Sequence, residues 1–124
     1  MGNIADIIER LPALFAAEPD LVRRAARAEI TILLQAGDQA RRLILDRGTL
    51  LVASADGPMA GWDIGFKGAA AVFWDHWQKV PGPDAADIFG MRRHGRLVIE
   101  GNFLPLMRHL QVVKDILALP RSVS

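Results

Sequence analysis

The sequence predicts an α+β domain, with a largely antiparallel five-stranded sheet covered on one face by helices. Three observations predict it. Apolar residues recur at helical spacing at both ends of the chain, from Ile4 to Phe15 and from Phe103 to Leu119. Between them, short β-branched runs alternate with turns built on Gly and Asp. The chain of 124 residues is a single-domain length that can bury a core without metals or disulfides. We therefore expect one domain over 1–124, helical from about 3 to 28, with the sheet and its covering helices from about 29 to 119.

Each element has a local cause. Asn3 is placed to cap a first helix whose apolar residues are Ile4, Ile7, Ile8, Leu11, Leu14 and Phe15. Pro12 removes a backbone donor inside it, so a kink or two short helices are expected. Glu18-Pro19-Asp20 restarts a helix that should run to about Ala28, with Arg23, Arg24 and Arg27 at its C-terminal end. Ile30–Leu34 and Arg42–Leu45 then read as a hairpin about Gly37-Asp38. Asp46-Arg47-Gly48 turns the chain into Thr49–Ala53, which Asp56-Gly57-Pro58 ends, and these strands are expected to form a meander with the next. In that next strand Trp62, Ile64 and Phe66 alternate with Asp63, Gly65 and Lys67, which predicts one aromatic-rich buried face. Ala69–Lys79 reads as helix, stopped by Pro81-Gly82-Pro83, and Asp84 is placed to cap a short helix through Ile88 and Phe89. Leu97–Ile99 is the last strand. The closing helix spreads its apolar residues so widely that it needs partners on two sides.

Composition excludes several function classes. Cysteine is absent, so no disulfide framework or thiolate metal site exists, and a reducing, cytoplasmic location fits. Fifteen Lys and Arg against fourteen Asp and Glu leave a net charge of +1, too little to attract nucleic acid through a global field. No apolar run approaches the roughly 20 residues of a bilayer span, and the acidic start argues against a cleaved secretory signal. The last residues, Arg121-Ser122-Val123-Ser124, are not a peroxisomal address of the Ser-Lys-Leu type.

Gly95-Arg96-Leu97-Val98-Ile99-Glu100-Gly101-Asn102 is similar to the glycine, alternating-strand, glycine, acidic-residue pattern that precedes the last helix in the sterol carrier protein type 2 (sterol-binding) family. Leu97 and Ile99 should point inward, Gly101 should permit a sharp turn, and Asn102, standing where an aspartate is expected, should cap the helix. Trp62-Asp63-Ile64-Gly65-Phe66-Lys67-Gly68 resembles the family's aspartate-containing strand, with Trp62 in place of a small residue. The likeness runs from about Glu29 to Leu119. It implies a tunnel between sheet and helices that takes a fatty acyl chain, a sterol or a similar lipid.

The residues expected to line such a ligand site are Trp62, Ile64, Phe66, Phe73, Trp74, Trp77, Phe89, Met91, Phe103, Met107 and Leu110. Two readings compete for them: ligand lining, or plain core filling. Catalysis is not expected. Asp75 and His76 are adjacent on a helix and so diverge, which places them on the surface and outside acid–base reach. His94 and His109 are isolated, and no spacing suits a metal or a cofactor. None of Ser54, Ser122 and Ser124 sits in a nucleophile elbow. Two arginine groups, Arg23, Arg24 and Arg27 with Arg41 and Arg42, and Arg92 with Arg93, are either solvated faces or transient contacts for a lipid head group or membrane surface. The competing class is an interaction module, a homodimer or an accessory to a partner enzyme acting on hydrophobic substrates.

Overall fold

The computed structural model describes residues 3–58 and 60–123; Ser124 lies outside them. Helix α1 (Ile4–Glu9) begins where Asn3 Oδ1 accepts the Ala5 N–H at 2.9 Å. Such a cap contributes about 1 kcal/mol. The helix stops at Arg10, and α2 (Leu11–Ala16) starts with Pro12 in its first turn, where a missing N–H costs least. Helix α3 (Pro19–Arg24) ends sooner than the expected Ala28. The reason is the entry to the sheet: the Ala28 N–H turns back to Ala25 O, while Ala28 O accepts the Arg47 N–H at 2.8 Å.

Strands β1 (Glu29–Ala36), β2 (Gln39–Asp46) and β3 (Thr49–Ser54) are joined by the turns Gly37-Asp38 and Arg47-Gly48. Gly37, Arg47 and Gly48 all take positive φ (64°, 47° and 86°), the mirror-image turn geometry that matches strand twist in tight hairpins. Strand β4 (Ile64–Gly68) does not continue the meander. The sheet order is β3-β2-β1-β4-β5, and β4 pairs parallel to β1, Ile32 opposite Ile64 and Leu34 opposite Phe66. The sheet is therefore mixed, contrary to the largely antiparallel expectation. Turn composition after Ser54 announces that β3 ends but not where the chain goes. It crosses back over the sheet, and Arg42 pins both sides of the crossing, donating from Nε to Ser54 O (2.8 Å) and from Nη1 to Gly61 O (3.3 Å).

Helices α4 (Ala70–His76) and α5 (Ile88–Arg93) follow, then β5 (Val98–Gly101), α6 (Phe103–Arg108), α7 (Leu110–Leu117) and a 3₁₀ turn at Leu119–Val123. Asp87, rather than Asp84, caps α5 by accepting the Gly90 N–H, and Asp84 pairs with Arg96 instead. The α5 C-terminus closes on Gly95 at φ 73°, with Gly95 N–H to Arg92 O and Arg96 N–H to Met91 O, the paired bonds of a Schellman cap. The expected single closing helix breaks at His109. Its two apolar stripes do not share one direction: α6 packs on β1, whereas α7 packs on α3. The break lets each half face its own partner.

The helices lie on one face of the sheet. Ile30, Ile32, Leu34, Leu43, Leu45, Leu50, Ile64, Phe66 and Ile99 meet Ile8, Leu11, Phe15, Phe73, Met91, Leu106, Val113 and Ile116 in one buried cluster. Among the described residues no helix is long and apolar enough to cross a membrane.

Asp63 joins three strands. Its Oδ2 accepts the Thr31 N–H (2.8 Å), its N–H donates to Thr31 O (2.9 Å), and its O accepts the Asn102 N–H (2.7 Å). Gly101 passes so close that a Cβ there would run into Asp63 O, and its φ is 117°. Gly101→Ala should therefore cost about 2 kcal/mol or more in urea unfolding, whereas Gly61→Ala, which faces open space, should cost little. Equal midpoints for the two variants would contradict this packing.

Candidate functional site

The predicted lining residues divide into three groups. Ile64, Phe66, Phe73, Trp77 and Met91 are buried between the sheet and the helices. Trp74, Phe89, Phe103 and Leu110 are half-buried and pack on that core from α4, α5, α6 and the start of α7. Met107 is 54% exposed and Trp62 lies on the other face of the sheet. Trp62 stands outside β4, so its ring escapes the alternation. It covers Gly65, where an added Cβ would lie 3.1 Å from the indole, and Lys67 Nζ sits 5.4 Å from the ring centre. It therefore does not share the buried face of Ile64 and Phe66.

The aromatic side chains carry structural bonds as well. Trp77 donates from Nε1 to Leu117 O at 2.7 Å, tying α4 to the end of α7. Phe73 and Trp77 have ring centres 5.7 Å apart, and Trp74 meets Trp77 edge-on at 6.0 Å. Lys114 Nζ stands 5.5 Å from the Phe89 ring and the Arg92 guanidinium 5.9 Å from that of Phe103, so α5 spans α6 and α7 through cations laid on half-buried rings.

His76 is not on the surface as expected. Val72, Phe73, His76 and Trp77 form one helical stripe, and His76 is only 4% exposed. That spacing was a usable signal. The His76 Nδ1–H donates to Ala85 O at 2.7 Å, which leaves Nε2 a lone-pair acceptor, buried without a partner among the described residues. Burial, chiefly, holds the imidazole below its ordinary pKa; the bond to Ala85 pulls the other way and the Arg121 charge adds to the lowering. Arg121 donates from Nε to His76 O and from Nη2 to Ala86 O, and burial lowers its pKa.

A polar cavity of about 260 Å³ opens beside this pair, lined by His76, Ala86, Asp87, Ile88, Gln111, Lys114, Asp115, Ala118 and Arg121. Burial opposes the Asp87 charge, but Lys114, 2.8 Å away, holds the carboxyl below the usual range. Sequence reasoning missed this group because Asp87, Gln111 and Arg121 come from separate elements. A second, open cleft of about 500 Å³ lies at one end of β1 and β2, lined by Glu29, Ile30, Thr31, Ile44, Leu45, Asp46, Arg47 and Asp63. Neither cavity touches any residue of the predicted lining set.

Four of the five residues of the first arginine group are engaged, while Arg27 has no ion-pair partner among the described residues. Arg23 and Arg24 pair with Asp20, Arg24 also with Asp115, and Arg41 with Glu9, while Arg42 holds the crossover.

Among known structures, the chain is similar to UbiJ-SCP2, a ubiquinone synthesis protein, at a TM-score of 0.61 and 16% identity over 94% of this chain and 92% of that one. It is similar to sterol carrier protein 2 from Yarrowia lipolytica in its apo form, at 0.57 and 15% over 95% and 89% of the two chains. The fold is SCP2-like. A conserved hypothetical protein from Thermus thermophilus also matches, at a TM-score of 0.65 and 14% identity over 96% and 87%. No family model and no curated protein matches the sequence. In this SCP2-like frame the Gly95–Asn102 segment does what its pattern predicted: Leu97 and Ile99 are buried, and Asn102 Oδ1 accepts the Leu104 N–H at 3.1 Å.

The lowered pKa of His76 makes a stability prediction. Above the ordinary histidine value both folded and unfolded chains hold it neutral. Below it the unfolded chain binds a proton that the folded one refuses, so stability falls as pH drops from about 6.5 toward the lower folded value. The carboxylates held low, Asp20 and Asp87, act only at more acidic pH. His76→Asn keeps a donor near Nδ1 and cannot titrate, so its stability should change less between about pH 6.5 and 5 in thermal melts. Parallel pH profiles for the two proteins would rule this out.

Proposed function

We propose that this protein is a non-catalytic binder of an apolar molecule, held between the sheet and the layer formed by α4 to α7. The observation that carries the reading is the SCP2-like fold over nearly the whole chain, in which short helices with half-buried Trp74, Phe89, Phe103 and Leu110 cover the buried face of Ile32, Ile64 and Phe66. Helices of six to eight residues are marginal by themselves and depend on packing for their order, so a ligand that takes over part of that packing can be accommodated by their rearrangement. The interior side chains must yield space. Burying ten ligand methylenes contributes roughly 8 kcal/mol, which must offset the contacts that the displaced side chains lose. The exchange therefore favours long apolar chains over small ones.

The likeness to a ubiquinone synthesis protein supports isoprenoid lipids as one ligand class, and that to a sterol carrier protein supports sterols and acyl chains as another. The second reading is a protein-interaction module with a filled core, serving a homodimer or a partner enzyme. It is favoured by Leu51 and Val98, 56% and 55% exposed on the sheet face away from the helices.

Native mass spectrometry of the purified protein should reveal a bound lipid, and titration with oleate, cholesterol or a polyprenol should change tryptophan emission, because Trp74 and Trp77 sit in the layer that must move. No bound lipid and no fluorescence change with any of the three would refute the carrier reading. A mass that rises with protein concentration under those conditions would favour the module.

A further inference from the structure

The surface made by α5 and α6 has a composition that the apolar interior does not explain. Leu104, Met107 and Arg108 are spaced i, i+3 and i+4, so they share one face of α6, and all three are exposed. Leu104 is 64% and Met107 54% exposed, two large apolar side chains one turn apart with no protein over them among the described residues. Leu106, on the other side of the same helix, is fully buried, and Phe103, one turn before Met107, is half-buried at the edge of the exposed face. The last turn of α5 is held against the first of α6 by the Arg92 guanidinium over the Phe103 ring at 5.9 Å, which places Arg92 beside this face, with the exposed Arg93 next to it on the same turn.

The charges here have one sign. From Ile88 to Leu110 the only acidic residue is Glu100, and its carboxylate pairs with Lys67. Arg96 is taken up by Asp75 and Asp84. Among the described residues, Arg92, Arg93 and Arg108 have no ion-pair partner. The whole molecule carries a net charge of only +1, so this is a local concentration of cation around an apolar ridge.

We infer that the α5–α6 face docks on an anionic lipid surface, with Leu104 and Met107 entering the head-group layer and Arg92, Arg93 and Arg108 contacting lipid phosphates and carboxylates. Apolar side chains rimmed by arginine are what an interfacial helix presents to a bilayer. A second copy of the chain fits worse, because a two-fold contact through this face would set arginines against arginines. The docking goes beyond ligand binding and does not require it.

Co-sedimentation of the full chain with vesicles of phosphatidylcholine alone, and of phosphatidylcholine mixed with phosphatidylserine, tests this. Binding should be confined to the mixed vesicles and weaken with added salt. Each arginine near an anionic surface is worth about fivefold in partitioning, so Arg92→Gln/Arg93→Gln/Arg108→Gln should weaken it by well over tenfold. Leu104→Ser/Met107→Ser should weaken it even at low salt. These side chains lie on the surface, and unchanged thermal melts will show that the variants fold. Arg23→Gln/Arg27→Gln, on α3 and beyond it, should bind as the wild type does. Equal binding to both vesicle types, undiminished binding by the arginine variant, or a dimer lost when Leu104 and Met107 are replaced would overturn the assignment. Loss of lipid cargo with vesicle binding intact would count against the proposed function alone.

Discussion

Asp63 is the junction on which the architecture depends. Its carboxylate and N–H engage both the N–H and the C=O of Thr31 of β1, and its carbonyl receives the N–H of Asn102 at the mouth of α6. One residue thus fixes the parallel partner of β1, the start of β4 and the turn by which β5 leaves the sheet. Gly101 follows from it, since no side chain fits against that carbonyl. The bond to the Thr31 N–H has a carboxyl oxygen as acceptor and is partly shielded from water. The clamp acts together with the ladder from Ile64 to Gly68 and the burial of Ile64 and Phe66, which also hold β4 beside β1.

From that junction the two halves of the helical layer acquire different characters. Over one half of the covered sheet face, α1 and α2 pack on β2 and β3 with Ile8, Leu11 and Phe15, all nearly inaccessible. Over the other, α4 to α7 are short, separated by turns, and joined by the Trp77–Leu117 bond, the Asp87–Lys114 pair and cations laid over Phe89 and Phe103. These polar ties add to the apolar packing of Phe73, Trp77, Met91, Leu106, Val113 and Ile116, all of them buried. The outer surface of this layer bears Leu104 and Met107, with Arg92, Arg93 and Arg108 on the same two helices.

Much of this is legible in the residues. Asn3, Pro12, Gly37-Asp38 and Arg47-Gly48 act locally, so their caps, break and turns can be read directly from sequence. Gly95 and Gly101 announce the last strand for the same reason. What cannot be read is which strands become neighbours. The parallel pairing of β4 rests on Asp63 meeting Thr31 across the fold, and no local pattern encodes that meeting. Trp62 departs from the face predicted for it because the alternation holds only within the strand, which begins two residues later. His76 departs from the predicted surface because the stripe it shares with Val72 and Phe73 decides its direction, whatever its charged neighbour Asp75 suggests. Of the predicted lining residues, those on β4 and the inner sides of the helices do converge between the layers, whereas Met107 faces out.

The central claim is that an apolar ligand enters between the sheet and the α4–α7 layer. Methyl-resolved NMR during titration with a long-chain lipid tests it most directly. Shifts concentrated at Ile32, Ile64, Met91, Leu106 and Leu110, with the outer-face methyls of Leu51 and Val98 unchanged, are the predicted result. Shifts confined to Leu51 and Val98, with the interior methyls unmoved at saturation, would contradict it.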